Sequence, residues 1–206
     1  MSPVTHFFTG WLLATVSQNG TAGLSRREKT LVVAAAVAPD LDGLGAIPEL
    51  LTRHSAHPLL WFTQYHHSLH TLAFALVVTF VAFLLSARAN RANGQIVHPW
   101  TTALLVFLSF HLHLLCDLVG ARGPDGDQWP IPYLLPFSNV LQLTWHGQWA
   151  LNAWQNFVIT GILLVVTFWI AWKYGSSPVE LMSDKWNQKL VEALRSRLPV
   201  IAKKAR

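Results

Sequence analysis

The chain is poor in charge and in sulfur. Only 12% of its 206 residues are Asp, Glu, Lys or Arg, and it carries one cysteine, Cys116. A lone cysteine within an apolar run excludes both an internal disulfide framework and a thiolate metal site. Lys and Arg are absent before Arg26, so the first segment lacks the positive stretch of a cleavable signal peptide and is expected to be retained. The 15 basic residues outnumber the 10 acidic ones, giving a net charge of +5. They are not gathered with aromatics on a polar domain, which argues against a nucleic-acid partner.

What is abundant is apolar. Hydrophobic residues make up 52% of the chain, ten of them Trp, and the mean hydropathy is +0.35. That balance makes membrane lipids the expected surroundings. Three runs, Thr71–Ala87, Trp100–Val119 and Trp154–Trp172, approach the ~20 apolar residues a helix needs to cross a bilayer. Phe7–Val16 is shorter. Leu31–Ala38 is interrupted by Pro39-Asp40-Leu41-Asp42-Gly43, where Pro39 and two carboxylates stop an apolar helix. Non-helical backbone at membrane depth needs protein or a polar cavity around it, so the break is expected to face the bundle interior. The fold class is therefore all-α: a polytopic transmembrane helix bundle of three clear spans plus two short or broken N-terminal helices, with a C-terminal amphipathic helix.

The tail has its own character, dividing the chain into a membrane-embedded part, residues 1–175, and a cytoplasmic basic part, 176–206. Ser177-Pro178-Val179-Glu180 has the form of a capping box and predicts a helix start. Trp186, Leu190, Leu194 and Leu198 recur every four residues, with Lys185, Lys189, Arg195 and Arg197 on other faces, as in a basic amphipathic helix on an anionic leaflet. All Lys and Arg except Arg53 and Arg122 fall on one side if the segment at Arg26, the loop after Ala87 and the tail share that side. The positive-inside rule then predicts five crossings or partial crossings, the N-terminus outside and the tail in the cytoplasm.

This orientation sorts the histidines. His6, Asp40 and Asp42, then His66, His67 and His70, and finally His113 and Asp117 all arrive near the outer face from separate segments. Helical spacing pairs His66 or His67 with His70, and His113 with Asp117, while His111 points elsewhere and is expected to hydrogen-bond across the bundle. Imidazole and carboxylate without thiolate suit zinc or another first-row divalent ion. Asp40 and Asp42 are candidate ligands, orienters or catalytic bases. "PDLDG" alone is more often a turn, and "HHSLH" alone reads as a polar helix start, but an ionisable Asp117 within a span is costly enough to mark a paired or functional group. The Pro-, Gly- and Trp-rich stretch from Gly120 to Trp154 predicts an outer cap, in which Asp125, Asp127 and His146 are candidates for substrate contact, although turn aspartates and an interfacial histidine are the commoner roles for such residues. His54, His57 and His98 are assigned no role.

Thr5-His6, Pro39 to Asp42, His66 to Thr71, His113 to Asp117, Trp129-Pro130 and Pro136 to Asn139 together resemble the YdjM-type inner-membrane metal-dependent hydrolases, over about residues 1–140. The resemblance implies a bacterial inner-membrane protein with metal ligands at His6, Asp40, Asp42, His70, His113 and Asp117. The family typically has a histidine, an arginine and Thr-His-Ser where this chain reads His66-His67-Ser68-Leu69-His70-Thr71. The absent arginine weakens the case for a phosphoester, because neutral imidazole does not replace a guanidinium fork. The expected function is metal-dependent hydrolysis of an ester, amide or phosphoester, possible lipid or envelope substrates being suggested by location alone. A divalent-cation transporter or sensor, or a non-catalytic protein stabilised by metal, are the competing readings. Conduction is disfavoured by Val77–Leu85 and Leu163–Ile170, which are almost bare of polar side chains.

Overall fold

A computed structural model describes residues 1–17, 23–60, 66–93, 99–123 and 126–198. His98, Asp125 and the end of the basic tail fall outside them. The order is α1 (Pro3–Val16), α2 (Arg26–Val37), a 3₁₀ segment (Ala38–Gly45), α3 (Ala46–Thr52), α4 (Leu72–Asn93), α5 (Pro99–Gly120), α6 (Trp154–Tyr174), a 3₁₀ turn (Pro178–Leu181) and α7 (Asp184–Arg197). No strand occurs among the described residues, only isolated bridges such as Ile131 with Leu143 in the cap.

Local chemistry sets the helix ends. Ser2 caps α1 by accepting from the Thr5 N–H, with Pro3 in the first turn. Ser25 and Glu28 form a full capping box at α2, a signal the sequence reading did not mark. Pro39 cannot donate a backbone hydrogen bond, so α2 stops at Val37. The chain then continues as a 3₁₀ segment without losing its helical path. Among the described residues, Arg26–Thr52 is consequently one of three stretches long and apolar enough to cross a membrane, with Pro99–Gly120 and Trp154–Tyr174, while Leu72–Arg88, expected to be a clear span, is a shorter apolar helix. Only part of the broken segment faces inward: Pro39 is buried, but α3 buries nothing, and Leu44, Ile47, Leu50 and Leu51 are exposed.

Helices α1, α2, α4 and α5 share a core of Ala14, Val32, Ala35, Ala82, Leu105 and Val106. Close approach of α1 to α2 depends on Gly10, where a Cβ would lie 2.5 Å from that of Ala36. Helix α6 packs on α1 and is held by a 2.7 Å hydrogen bond between the Thr160 and Thr5 hydroxyls. Phe157, Ile162, Val165 and Phe168 of α6, and Val77, Phe80 and Val81 of α4, remain exposed, as lipid-facing side chains should be.

The tail helix starts later than its sequence suggests. Ser177 precedes only the short 3₁₀ turn and makes no capping bond; α7 begins at Asp184, capped by Ser183. The expected box partners are engaged elsewhere. Ser177 Oγ donates to Asn187 Oδ1 at 2.7 Å, while Glu180 accepts from Lys29 Nζ at 2.7 Å, Ser176 Oγ at 2.8 Å and Trp11 Nε1 at 3.3 Å. The buried face of α7 is Asn187 and Val191; Trp186 and Leu198 of the expected apolar stripe are exposed.

Candidate metal centre

Four histidines converge on Asp117, which is fully buried in the last turns of α5. His113 is one helical turn before it, with Nε2 3.1 Å from Asp117 Oδ2. His66 Nε2 lies 3.2 Å and His70 Nε2 3.5 Å from the same oxygen. His6 Nε2, from the first turns of α1, is 3.1 Å from Oδ1, which the Met1 amino group also contacts. Asp40 completes a set with His6, His113 and Asp117, while His66, His70 and Asp117 form another; ligand atoms within each set lie within 4.8 Å of one another.

The break in α2 orients one imidazole. In a 3₁₀ turn the carbonyl of Ala36 would accept from residue 39, but Pro39 has no N–H. That carbonyl instead accepts a 2.7 Å hydrogen bond from His113 Nδ1. A carbonyl only accepts, so Nδ1 carries the proton and Nε2 turns a lone pair inward. A second tautomer is set by Asp42, whose Oδ2 accepts from His70 Nδ1 and from the Leu69 N–H, both at 3.1 Å. The two Nε2 atoms thus face each other across 3.2 Å. Two lone pairs at that distance repel unless a cation, a proton or a metal ion, lies against both. His6 Nδ1 is likewise buried with no hydrogen-bond partner among the described residues. The donor set fits a divalent ion of the zinc type, with the carboxylate–histidine support common behind such ligands.

His66 and His70 do not meet through helical spacing, as the sequence pattern implied. Residues 66–70 precede α4 and are not helical. His66 reaches Asp117 from a left-handed backbone, with φ of 60°, and its ring packs edge-on against Trp129 of the cap at 5.4 Å. Burial holds its pKa below the ordinary imidazole value, favouring the neutral form a ligand requires. His67 is exposed and belongs to neither set. Asp42 also lies outside both sets, behind His70.

Other residues fall away from the centre. His111 bonds the Phe107 carbonyl and the Tyr133 hydroxyl, both at 2.8 Å. Asp127 accepts the Gly123 N–H in a cap turn through its backbone, and His146 is exposed. Gln148, which the sequence reading passed over, is buried and donates to the Asp117 carbonyl at 2.9 Å. Nothing in its neighbourhood of the sequence distinguishes it from a surface glutamine.

Fold and cluster together define a polytopic helical membrane protein with a buried His/Asp group of metal-binding composition. Residues 1–186 match the family described as YdjM inner membrane protein, and the chain belongs to that family. The comparisons with curated proteins and with solved structures give no match.

Proposed function

We propose that this protein is a membrane-embedded metal-dependent hydrolase, acting on an ester, amide or phosphoester near the outer face of the inner membrane. The observation that carries the reading is the facing pair of Nε2 lone pairs on His70 and His113, beside a buried Asp117 carboxylate. A divalent ion held within this His/Asp cluster, such as zinc, would supply Lewis-acid polarisation and an acidified water. The chain's own residues divide the remaining work. Asp42 and the Ala36 carbonyl fix the imidazole tautomers. Asp40, placed with His6, His113 and Asp117, adds a second carboxylate to the donor set. The cap excludes bulk water through Trp129 on His66 and Gln148 on the Asp117 backbone.

Transport would require polar groups to continue through the bundle. A second polar layer does exist, where buried Glu28 accepts from Thr102 at 2.7 Å and Ser86 at 3.1 Å. Between it and the metal layer stand Val32, Ala82, Leu105 and Val106, all buried, with the Ser109 hydroxyl spent on the Val32 carbonyl at 2.8 Å. This mainly apolar layer, free of ionisable groups among the described residues, favours a one-sided site over conduction.

The test is hydrolysis by purified protein in lipid, using chromogenic carboxyl and phosphate esters and an inner-membrane lipid extract. Turnover should vanish on chelation, return with zinc and be lost in Asp117→Ala. Metal-loaded protein that never exceeds the Asp117→Ala background on either substrate set would overturn the reading.

A further inference from the structure

We propose that the centre takes two divalent cations, which share Asp117 as a bridging carboxylate. This rests on the metal reading above. It starts from the number and direction of the donors. His6, Asp40, His66, His70, His113 and Asp117 offer six protein ligands, whereas a zinc site of catalytic type uses three and keeps a position open. One ion holding all six would have no place for water or substrate. The donors also do not gather at one point: ligand atoms fall into two sets, His6 with Asp40 and His113, and His66 with His70, and only Asp117 belongs to both.

Asp117 is built to be shared. Its Oδ1 faces His6 at 3.1 Å, while Oδ2 faces His66 at 3.2 Å and His113 at 3.1 Å. Each oxygen thus has an imidazole of a different set against it. The sets also arrive on different elements: α1, the 3₁₀ segment and α5 furnish one, and the loop before α4 furnishes the other. Each can therefore be removed without dismantling its neighbour. Two dications beside the carboxylates of Asp40, Asp42 and Asp117 would leave the centre positive and able to attract an anionic oxygen.

Metal titration of the full-length, metal-stripped protein in detergent tests this, with zinc as the probe and bound metal measured after desalting. Wild type should retain two equivalents per chain, and His6→Gln and His66→Gln one each, with unchanged elution on size exclusion reporting intact folding. Manganese-loaded wild type should give the electron paramagnetic resonance spectrum of a coupled pair, and each variant the six-line pattern of an isolated ion. One equivalent in wild type, abolished by either variant, overturns the two-cation centre while leaving the hydrolase reading standing. Two equivalents without coupling overturn the shared Asp117. No bound metal overturns both.

Discussion

At the scale of the residue, the proposed centre depends on which side chains touch Asp117 and which stand behind them. His6, Asp40, His113 and Asp117 announce themselves as ionisable or imidazole groups among apolar neighbours, and lipid makes such groups expensive unless they are used or paired. The choice between His66 and His67 is different, because it is made by a backbone φ of 60° that no helical spacing anticipates. Asp42 shows the same limit: its residue type fits a ligand, but in the proposed centre its position behind His70 suits it to orient that imidazole. Asp42→Ala should therefore weaken metal binding about 10–100-fold, the range for losing a carboxylate behind a ligating histidine, while retaining the stoichiometry. Competition against a chromogenic chelator measures it, with His67→Ala as the control that leaves affinity unchanged. An Asp42→Ala protein that bound metal as tightly as wild type would remove that role.

At the scale of the element, apolar run lengths located α5 and α6 as spans but not Arg26–Thr52, where the chain keeps its helical path past Pro39, and they overrated the shorter apolar helix Leu72–Arg88. Helix ends were less legible, since the same short motif has two outcomes in this chain. Ser25-x-x-Glu28 closes a capping box, and Glu28 then reaches Thr102 and Ser86, tying α2 to α5 and α4. Ser177-x-x-Glu180 does not, because Lys29, Ser176 and Trp11 compete for Glu180 across the interface between tail and bundle. Tertiary partners, invisible to a local pattern, decide between them. Glu28→Ala removes the box and leaves two fully buried hydroxyls, those of Thr102 and Ser86, without their acceptor. The expected loss is about 3 kcal/mol, combining a cap with charged hydrogen bonds. It should appear as a lower unfolding temperature in detergent, with metal stoichiometry unchanged because the apolar layer separates Glu28 from the centre.

At the scale of the whole molecule, the two layers give the bundle a polarity that can be compared with its charge. Glu28 joins the start of α2, the end of α4 and the start of α5, so Arg26, Arg27, Lys29 and Arg88 lie at that end. The tail returns to the same end, through Lys29 with Glu180 and Arg26 with Asp184. Asp40, His70 and Asp117 occupy the opposite ends of α2, α4 and α5, towards Arg53 and Arg122. The positive-inside rule, applied to this arrangement, predicts the Glu28 end in the cytoplasm and the proposed metal centre towards the outer face. A fluorescent reporter inserted within residues 94–98 should therefore fold and fluoresce in the cytoplasm, and alkaline phosphatase joined after Gly126 should be active outside. The reverse pattern would leave the ligand geometry untouched but would turn the centre to the cytoplasm. Its substrate would then have to be sought among cytoplasmic or inner-leaflet esters, so the two reporters decide which pool of molecules the centre meets.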